Sequence, residues 1–368
     1  MVARILMLCL CCYLVACKSE DKTTALDVAS ALGGIPATGF ARALEPRQFS
    51  FPADHAAHPD FRNEWWYVTG NVQDASDRQF GYQVTLFRIA LTPSVPSNPS
   101  AWATNQMWMA HVALTDLAGQ QHLHEQRFAR GAAGLAGQSA QPFRVWLEDW
   151  QILGQANGQF PWSIQVKAQD FKLNLTLAPT KPAVLQGNQG LSQKSSEAGN
   201  ASYYYSFTRL ETTGTIHYQG KDWGVAGLSW LDREWSTSAL GADQAGWDWF
   251  SLQLKDGQEL MFYRMRKKSG EADAAHSQGK LVLADGSSQT LSLNDVQLKP
   301  LEYWQAPTGA RYPIAWELTR GQTKWRVEAV VKDQLMQTSV LYWEGSVHVV
   351  DANTGQVLGM GYLEMSGY

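Results

Sequence analysis

The segment Gly227-Leu228-Ser229-Trp230-Leu231-Asp232-Arg233-Glu234-Trp235 sets two carboxylates between two indoles. Its residue types suit a strand, and in a strand Trp230, Asp232 and Glu234 share one face while Ser229, Leu231 and Arg233 take the other. The two carboxylates then stand roughly 7 Å apart. Repulsion beside a low-dielectric indole wall disfavours ionising both, which makes one of them a candidate proton donor at neutral pH. The structural alternative is an ion pair between Asp232 or Glu234 and Arg233 or another arginine.

Similar acidic-aromatic pairs open two other stretches, Glu64-Trp65-Trp66 and Asp248-Trp249-Phe250. The first leads through alternating residues to Leu86-Phe87-Arg88, the second through Lys255-Asp256-Gly257 to Phe262-Tyr263-Arg264. The Asp232 segment also has a near copy at the C-terminus, where Gly359-Met360-Gly361-Tyr362-Leu363-Glu364 matches Gly227 to Asp232 position by position. Upstream, Gly214-Thr215-Ile216-His217 matches Gly345-Ser346-Val347-His348. Self-similarity of whole supersecondary units points to a duplicated domain. The site is therefore expected near the end of the first copy, with Asp232 as principal candidate, Glu234 and Glu64 as carboxylate neighbours, and Trp65, Tyr205, Trp230 and Trp249 as walls.

Other residues join this set with two readings each. His111 shares a strand face with Met107 and Met109, as a neutral core histidine or a catalytic acid or base. Tyr203, Tyr205 and Phe207 make one face of their strand almost wholly aromatic, which suits a barrel lumen. Trp65 and Trp66 are either ligand walls or structural tryptophans capped by Arg88 or Arg264 through cation–π stacking. Sixteen tryptophans exceed what a barrel core needs, and aromatic-lined cavities suit flat, conjugated or isoprenoid ligands.

Several chemistries find no support. Gly227-Leu228-Ser229-Trp230-Leu231 lacks the second glycine of a nucleophile elbow. His122-Leu123-His124-Glu125 reads as a solvated pair without a third metal ligand nearby. No phosphate-cradling or dinucleotide fingerprint occurs, so neither cofactor nor metal is expected. The formal charge of −4, without a long basic run, argues against nucleic acid.

The elements that must position these residues are strands. Period-two alternation marks residues 80–91, 102–115, 145–153, 163–178 and 203–210, with later strands expected at 247–255, 259–267, 280–284, 313–319, 324–331, 340–350 and 356–366. No long 3.6-period segment appears, so the chain is all-β, built of antiparallel meanders in barrels or sandwiches. Residues 92–105 and 179–202 are rich in Pro, Ser, Gly, Asn and Gln and read as surface loops.

The N-terminus reads differently. Arg4 precedes an apolar run, Ile5 to Val15, too short to span a bilayer as a helix. Leu14-Val15-Ala16-Cys17 follows and resembles the lipobox of bacterial lipoproteins, in which the cysteine is acylated. Lys18, where an inner-membrane retention signal would carry Asp, favours the outer membrane facing the periplasm. All four cysteines fall at or before residue 17, leaving the exported body without disulfides or a cysteine nucleophile. The expected organisation is a signal at 1–17, a tether at 18–45 with a short helix at 24–32, a first domain at 46–240 and a second at 241–368.

Several motifs are shared with a known family. They are His58-Pro59-Asp60-Phe61-Arg62-Asn63-Glu64-Trp65-Trp66-Tyr67-Val68-Thr69-Gly70-Asn71, His111 before Ala113-Leu114-Thr115-Asp116, the Trp230 to Trp235 segment, Gly246-Trp247-Asp248-Trp249, and Tyr342-Trp343-Glu344-Gly345. In these the chain resembles the AttH and carotenoid-hydratase (CrtC) lipocalin-like family. The resemblance implies two tandem lipocalin-like antiparallel β-barrels. Family members include hydratases that add water to a terminal isoprenoid double bond without a cofactor, and proteins encoded with ABC transporters; relatives of the fold include pericyclases. Asp232 is similar to the hydratases' catalytic aspartate in its Tyr-x-Asp setting, with Trp230 in place of the tyrosine. Tyr203 and Tyr205 stand where the hydratases carry a supporting histidine and tryptophan, a departure from the pattern. Two functions follow as expectations. One is a membrane-anchored carrier of a lipid or isoprenoid, accessory to an ABC transporter; the other is a cofactor-independent hydratase or isomerase of an isoprenoid-like alkene.

Overall fold

Two antiparallel sheets, each curled into a barrel-like form, make up the protein in a computed structural model that describes residues 26–27, 38–237 and 240–368. The lipobox and most of the tether lie outside the described residues.

Hydrogen-bonded neighbours in the first sheet run from Gln121–Arg130 through Gln106–Asp116, Gln79–Ala90, Asn63–Asp74, Lys221–Ser236 and Ala201–Tyr218 to Phe171–Pro179. Four shorter strands back to Ala136–Ala140 complete it. The second sheet repeats the plan: its first long strand, Gln244–Leu254, lies beside its last, Val357–Ser366, as Asn63–Asp74 lies beside Lys221–Ser236. Each curl is filled by its own core. Strict alternation along Phe171-Lys172-Leu173-Asn174-Leu175-Thr176-Leu177 sends every leucine inward and every polar residue to solvent. Trp66, Trp108, Trp150 and Trp162 fill the first barrel, Trp316 and Trp343 the second. Neither interior is an empty lumen, and the wholly aromatic Tyr203-Tyr205-Phe207 face belongs to the first of these packed cores.

Several sequence expectations need correction. Residues 145–153 and 163–178 are each two strands joined by a turn. Residues 179–202 are no surface loop: Val184–Leu185 and Leu191–Gln193 pair with Ala201–Tyr218, and Gln186, Ser192 and Ser195 are buried. Leu26–Asp27, inside the stretch expected to be helical, is extended and pairs with Val340–Leu341. The end of the expected tether is tied into the body, with Ala41 N–H donating to Asp60 O and Ala43 wholly buried. His122 and His124 are not a solvated pair either. They stack with ring centres 5.7 Å apart, and His124 Nε2 accepts the Gln337 amide of the second sheet.

The repeat is real in the sheets but slipped in the alignment. Glu64 stands directly opposite Arg88, and Asp248 directly opposite Arg264, so the strand openings correspond. Trp65 then faces Glu234 across the next strand, and its counterpart Trp249 faces Glu364. Glu364 therefore corresponds to Glu234, two residues beyond Asp232. A shift of two keeps every side chain on its face, which is why the sequences match well in the wrong register.

Candidate active site between the barrels

The two barrels pack through one outer face each, and between those faces lies a cavity of about 290 Å³. Asp232 and Glu234 reach it from the first barrel, Glu344 and Glu364 from the second, with Lys194 among them. Trp65, Tyr67, Phe87, Tyr204, Trp247 and Trp249 supply aromatic walls. The alternation that buries Trp66 and Leu231 in the first core turns Trp65, Tyr67, Asp232 and Glu234 outward, toward the second barrel.

Asp232 is buried and forms no ion pair among the described residues. Tyr204 OH donates to Oδ2 at 2.5 Å, while Trp230 Nε1 at 2.7 Å and the Ser206 hydroxyl donate to Oδ1. Burial pushes its pKa up to about 7; the three donors oppose this and the nearby Glu234 adds to it. Glu234 has a cation beside it: Lys194 lies 2.8 Å away, and the Ser202 hydroxyl donates to the same carboxylate. Burial works against the Lys194 ammonium, yet Glu234 above all keeps its pKa raised.

Glu344 and Glu364 are direct cross-strand partners on one face, a placement that makes two negative charges repel. Burial first and the charge of Glu364 second hold Glu344 well above the carboxylate range. Both its oxygens are buried and neither closes a hydrogen bond of good geometry among the described residues, while the Tyr67 and Tyr342 hydroxyls face it and oppose the rise. Glu364 accepts the Trp247 indole N–H at 2.7 Å; burial raises it to about 7, with Asp232 and Glu234 contributing. The cavity thus presents four carboxyls to one ammonium, and burial together with the facing Glu364 favours the protonated form of Glu344.

His111 is locked neutral. The Ser339 amide donates to Gln126 Oε1, which fixes the Gln126 side chain and aims its Nε2–H at His111 Nε2, 2.9 Å away. Nδ1 then carries the proton and donates to the Tyr342 hydroxyl oxygen at 2.7 Å, leaving the hydroxyl proton free to point at Glu344. Burial depresses the His111 pKa to about 3. Its geometry is that of a residue that positions Tyr342.

Of the sequence candidates, Asp232, Glu234, His111, Trp65 and Trp249 line the cavity, and Trp230 braces Asp232. The others lie on the opposite faces. Glu64 is fully buried inside the first barrel between Arg88 and Arg233, 3.1 Å from the latter, and these cations with His58 hold it far below the usual range against its burial. Trp66 lies beneath Arg233, whose guanidinium carbon is 3.8 Å from the ring centre, so Arg233 is its cap in place of Arg88 or Arg264. Tyr205 OH is bonded to His55 at 2.7 Å, and Tyr203 OH donates to Glu45 O. Arg264 pairs with Asp248 at 2.7 Å and covers Trp316. Sequence reasoning missed Tyr204, Tyr67, Lys194, Glu344, Trp247 and Tyr342. Tyr67, Trp247, Tyr342 and Glu344 all stand in the motifs shared with the family, two residues from another aromatic or acidic residue, a usable signal; Lys194 lies in a segment whose composition suggests a loop.

Fold and site together define a double β-barrel protein with a carboxyl-lined, aromatic-walled cavity between its halves. The AttH-like family model matches residues 42–368, and the chain belongs to that family. It is 35% identical to an AttH protein from Nitrosomonas europaea of known structure, covering 89% of this chain and 100% of that one with a TM-score of 0.78. Kievitone hydratase from Nectria haematococca shares the fold at 14% identity and a TM-score of 0.63, over 89% of this chain and 98% of its own. CghA does so at 12% identity and 0.53, over 93% and 97%. No curated protein matches the chain.

Proposed function

We propose that the protein is a cofactor-independent acid–base enzyme of hydratase or isomerase type, acting on a double bond in a largely apolar molecule. The observation that carries this reading is the cluster of buried Asp232 and Glu344 with half-buried Glu364 against aromatic walls, a setting that raises all three carboxyls toward the protonated form. A neutral carboxyl in such a place donates its proton to one alkene carbon, and the faces of Trp65, Trp249 and Tyr67 steady the cation left on the other. Water adds to that cation and surrenders a proton to an ionised carboxylate, which restores the site; loss of a neighbouring proton instead gives an isomer. The volume of 290 Å³ suits a compact substrate or one end of a longer one. The hydratase-like fold neighbours support the same class.

Turnover of unsaturated isoprenoid and aromatic alkenes in D₂O, followed by mass spectrometry, tests this reading. Deuterium should enter carbon, and Asp232→Asn and Glu344→Gln should lower the rate by roughly 10² to 10⁴ while binding survives. Bound ligand without deuterium incorporation would overturn it in favour of a second reading, a hydrophobic carrier accessory to an ABC transporter, which the aromatic lining also suits. The lipobox supports anchoring at Cys17 to the outer membrane, facing the periplasm. Palmitate labelling that persists in Cys17→Ser would exclude that anchor.

A further inference from the structure

One rim of the cavity carries an apolar patch that the acid–base chemistry does not use. Along Gln79–Ala90 the cavity-facing residues become more exposed toward the strand end: Thr85 is buried, Phe87 and Ile89 are half-buried, and Leu91, just beyond, is 61% exposed. The neighbouring strand repeats this, from buried His111 and Met109 to half-buried Met107. The cavity therefore opens at the end where residues 91–105 and 131–135 connect strands. There Val95 is 74% exposed, Trp102 56% and Phe128, a cavity-lining residue, 49%, with Leu91 and Leu135 alongside. The Ala133 amide donates to Ala101 O, joining the two connections into one surface. Residues 91–105 contain no Asp, Glu, Lys or Arg, and neither do 131–142.

From this we infer that the rim seats on a lipid bilayer, so that a membrane-dissolved molecule enters the cavity without crossing water. Grouped exposed apolar residues mark interaction surfaces, and tryptophan favours the membrane–water interface. What selects a bilayer as the occupant is where the chain's N-terminal part meets the body. Gly39 packs on Pro93 of the patch connection, and Leu26–Asp27 pairs with Val340–Leu341, Val340 being a residue of the cavity lining. Cys17 precedes Leu26 by nine residues, a reach of about 30 Å at full extension. With Cys17 anchored as proposed above, the opening is held within that distance of the membrane. A lipid anchor and an apolar patch then act as two signals, each weak alone.

Because every native cysteine falls at or before residue 17, single cysteines for a polarity-sensitive fluorophore can be placed in the exported, anchored protein. Val95→Cys and Trp102→Cys probe the patch, and Leu301→Cys, exposed on the second barrel, is the reference. All three positions are exposed, so folding is preserved. In vesicles of phosphatidylethanolamine and phosphatidylglycerol, labels at 95 and 102 should shift to the blue and lose emission to brominated acyl chains, with no change at 301. Equal responses at all three positions, or a blue shift at 95 and 102 that follows protein concentration without lipid, would overturn the proposal; the latter would mean that a second copy covers the patch. None of these readouts depends on turnover, so failure here is separable from failure of the acid–base reading.

Discussion

Asp232 and Glu64 are both fully enclosed acidic side chains, and they should respond to pH in opposite ways. The folded-state pKa of Asp232, about 7, lies above its ordinary 3.8. The native state keeps the proton while the unfolded chain gives it up, so this contribution is full below about pH 4 and lost as pH rises through 7. The shift bounds the penalty at roughly 4 kcal/mol above pH 7. Asp232→Asn removes the ionisation but leaves an oxygen for the Ser206 and Trp230 donors. Its melting temperature should exceed the parent's at pH 8 and converge on it toward pH 5. Glu64 is held below its ordinary 4.5, so its contribution is present above that value and lost as pH falls. Glu64→Gln strands Arg88 and Arg233 in the core and should cost about 3–5 kcal/mol at neutral pH. Melting curves from pH 4 to 8 check both. An Asp232→Asn variant less stable at pH 8 than at pH 5 relative to the parent would mean that the carboxylate is a structural anion after all.

At the scale of the strand, alternation was legible and its direction was not. The sequence places Trp230, Asp232 and Glu234 together, and they do share a face. Glu64 and Trp65 are adjacent and cannot share one, so no strand could have delivered both to the cavity. Which face points inward depends on a neighbour far along the chain, here the second barrel, which no local pattern reports. The aromatic run Tyr203-Tyr205-Phe207 drew attention to the packed interior, whereas the single Tyr204 between them carries the contact with Asp232. The same dependence on distant partners shows at Gly81. A side chain there would meet Ser346 Cβ at 2.8 Å and the Tyr362 hydroxyl at 2.9 Å, both from the second barrel. Gly81→Leu should cost about 1–3 kcal/mol by overpacking and loosen the barrel contact. Hydrogen exchange should then speed up along Val340–Asp351 and Val357–Ser366 while the strands around Phe171–Pro179 keep their protection. Unchanged exchange would mean that the contact tolerates the bulk.

At the scale of the molecule, the site exists only while the barrels stay together, since each supplies two of its four carboxyls. Beyond the cavity they are fastened by Glu259, a fully buried carboxylate of the second barrel that receives two cations from the first. Lys181 Nζ lies 2.8 Å away and Arg209 Nε 2.5 Å, with the Thr208 hydroxyl donating as well. Lys181 also donates to the carbonyls of Gly257 and Leu283, so its head is bound to the second barrel on several sides. Burying three charges is unfavourable by itself, and such a group contributes chiefly by fixing one docking geometry; removing one member leaves the others uncompensated. Calorimetry on the parent should therefore show one transition for both barrels. Glu259→Gln should lose about 3–5 kcal/mol and resolve into two transitions, one for each barrel. Cavity function should fall with the first of them, although Glu259 touches no cavity residue's carboxyl. A parent that already melts in two steps, or a variant that keeps a single step at the parent's temperature, would show that the barrels are coupled elsewhere.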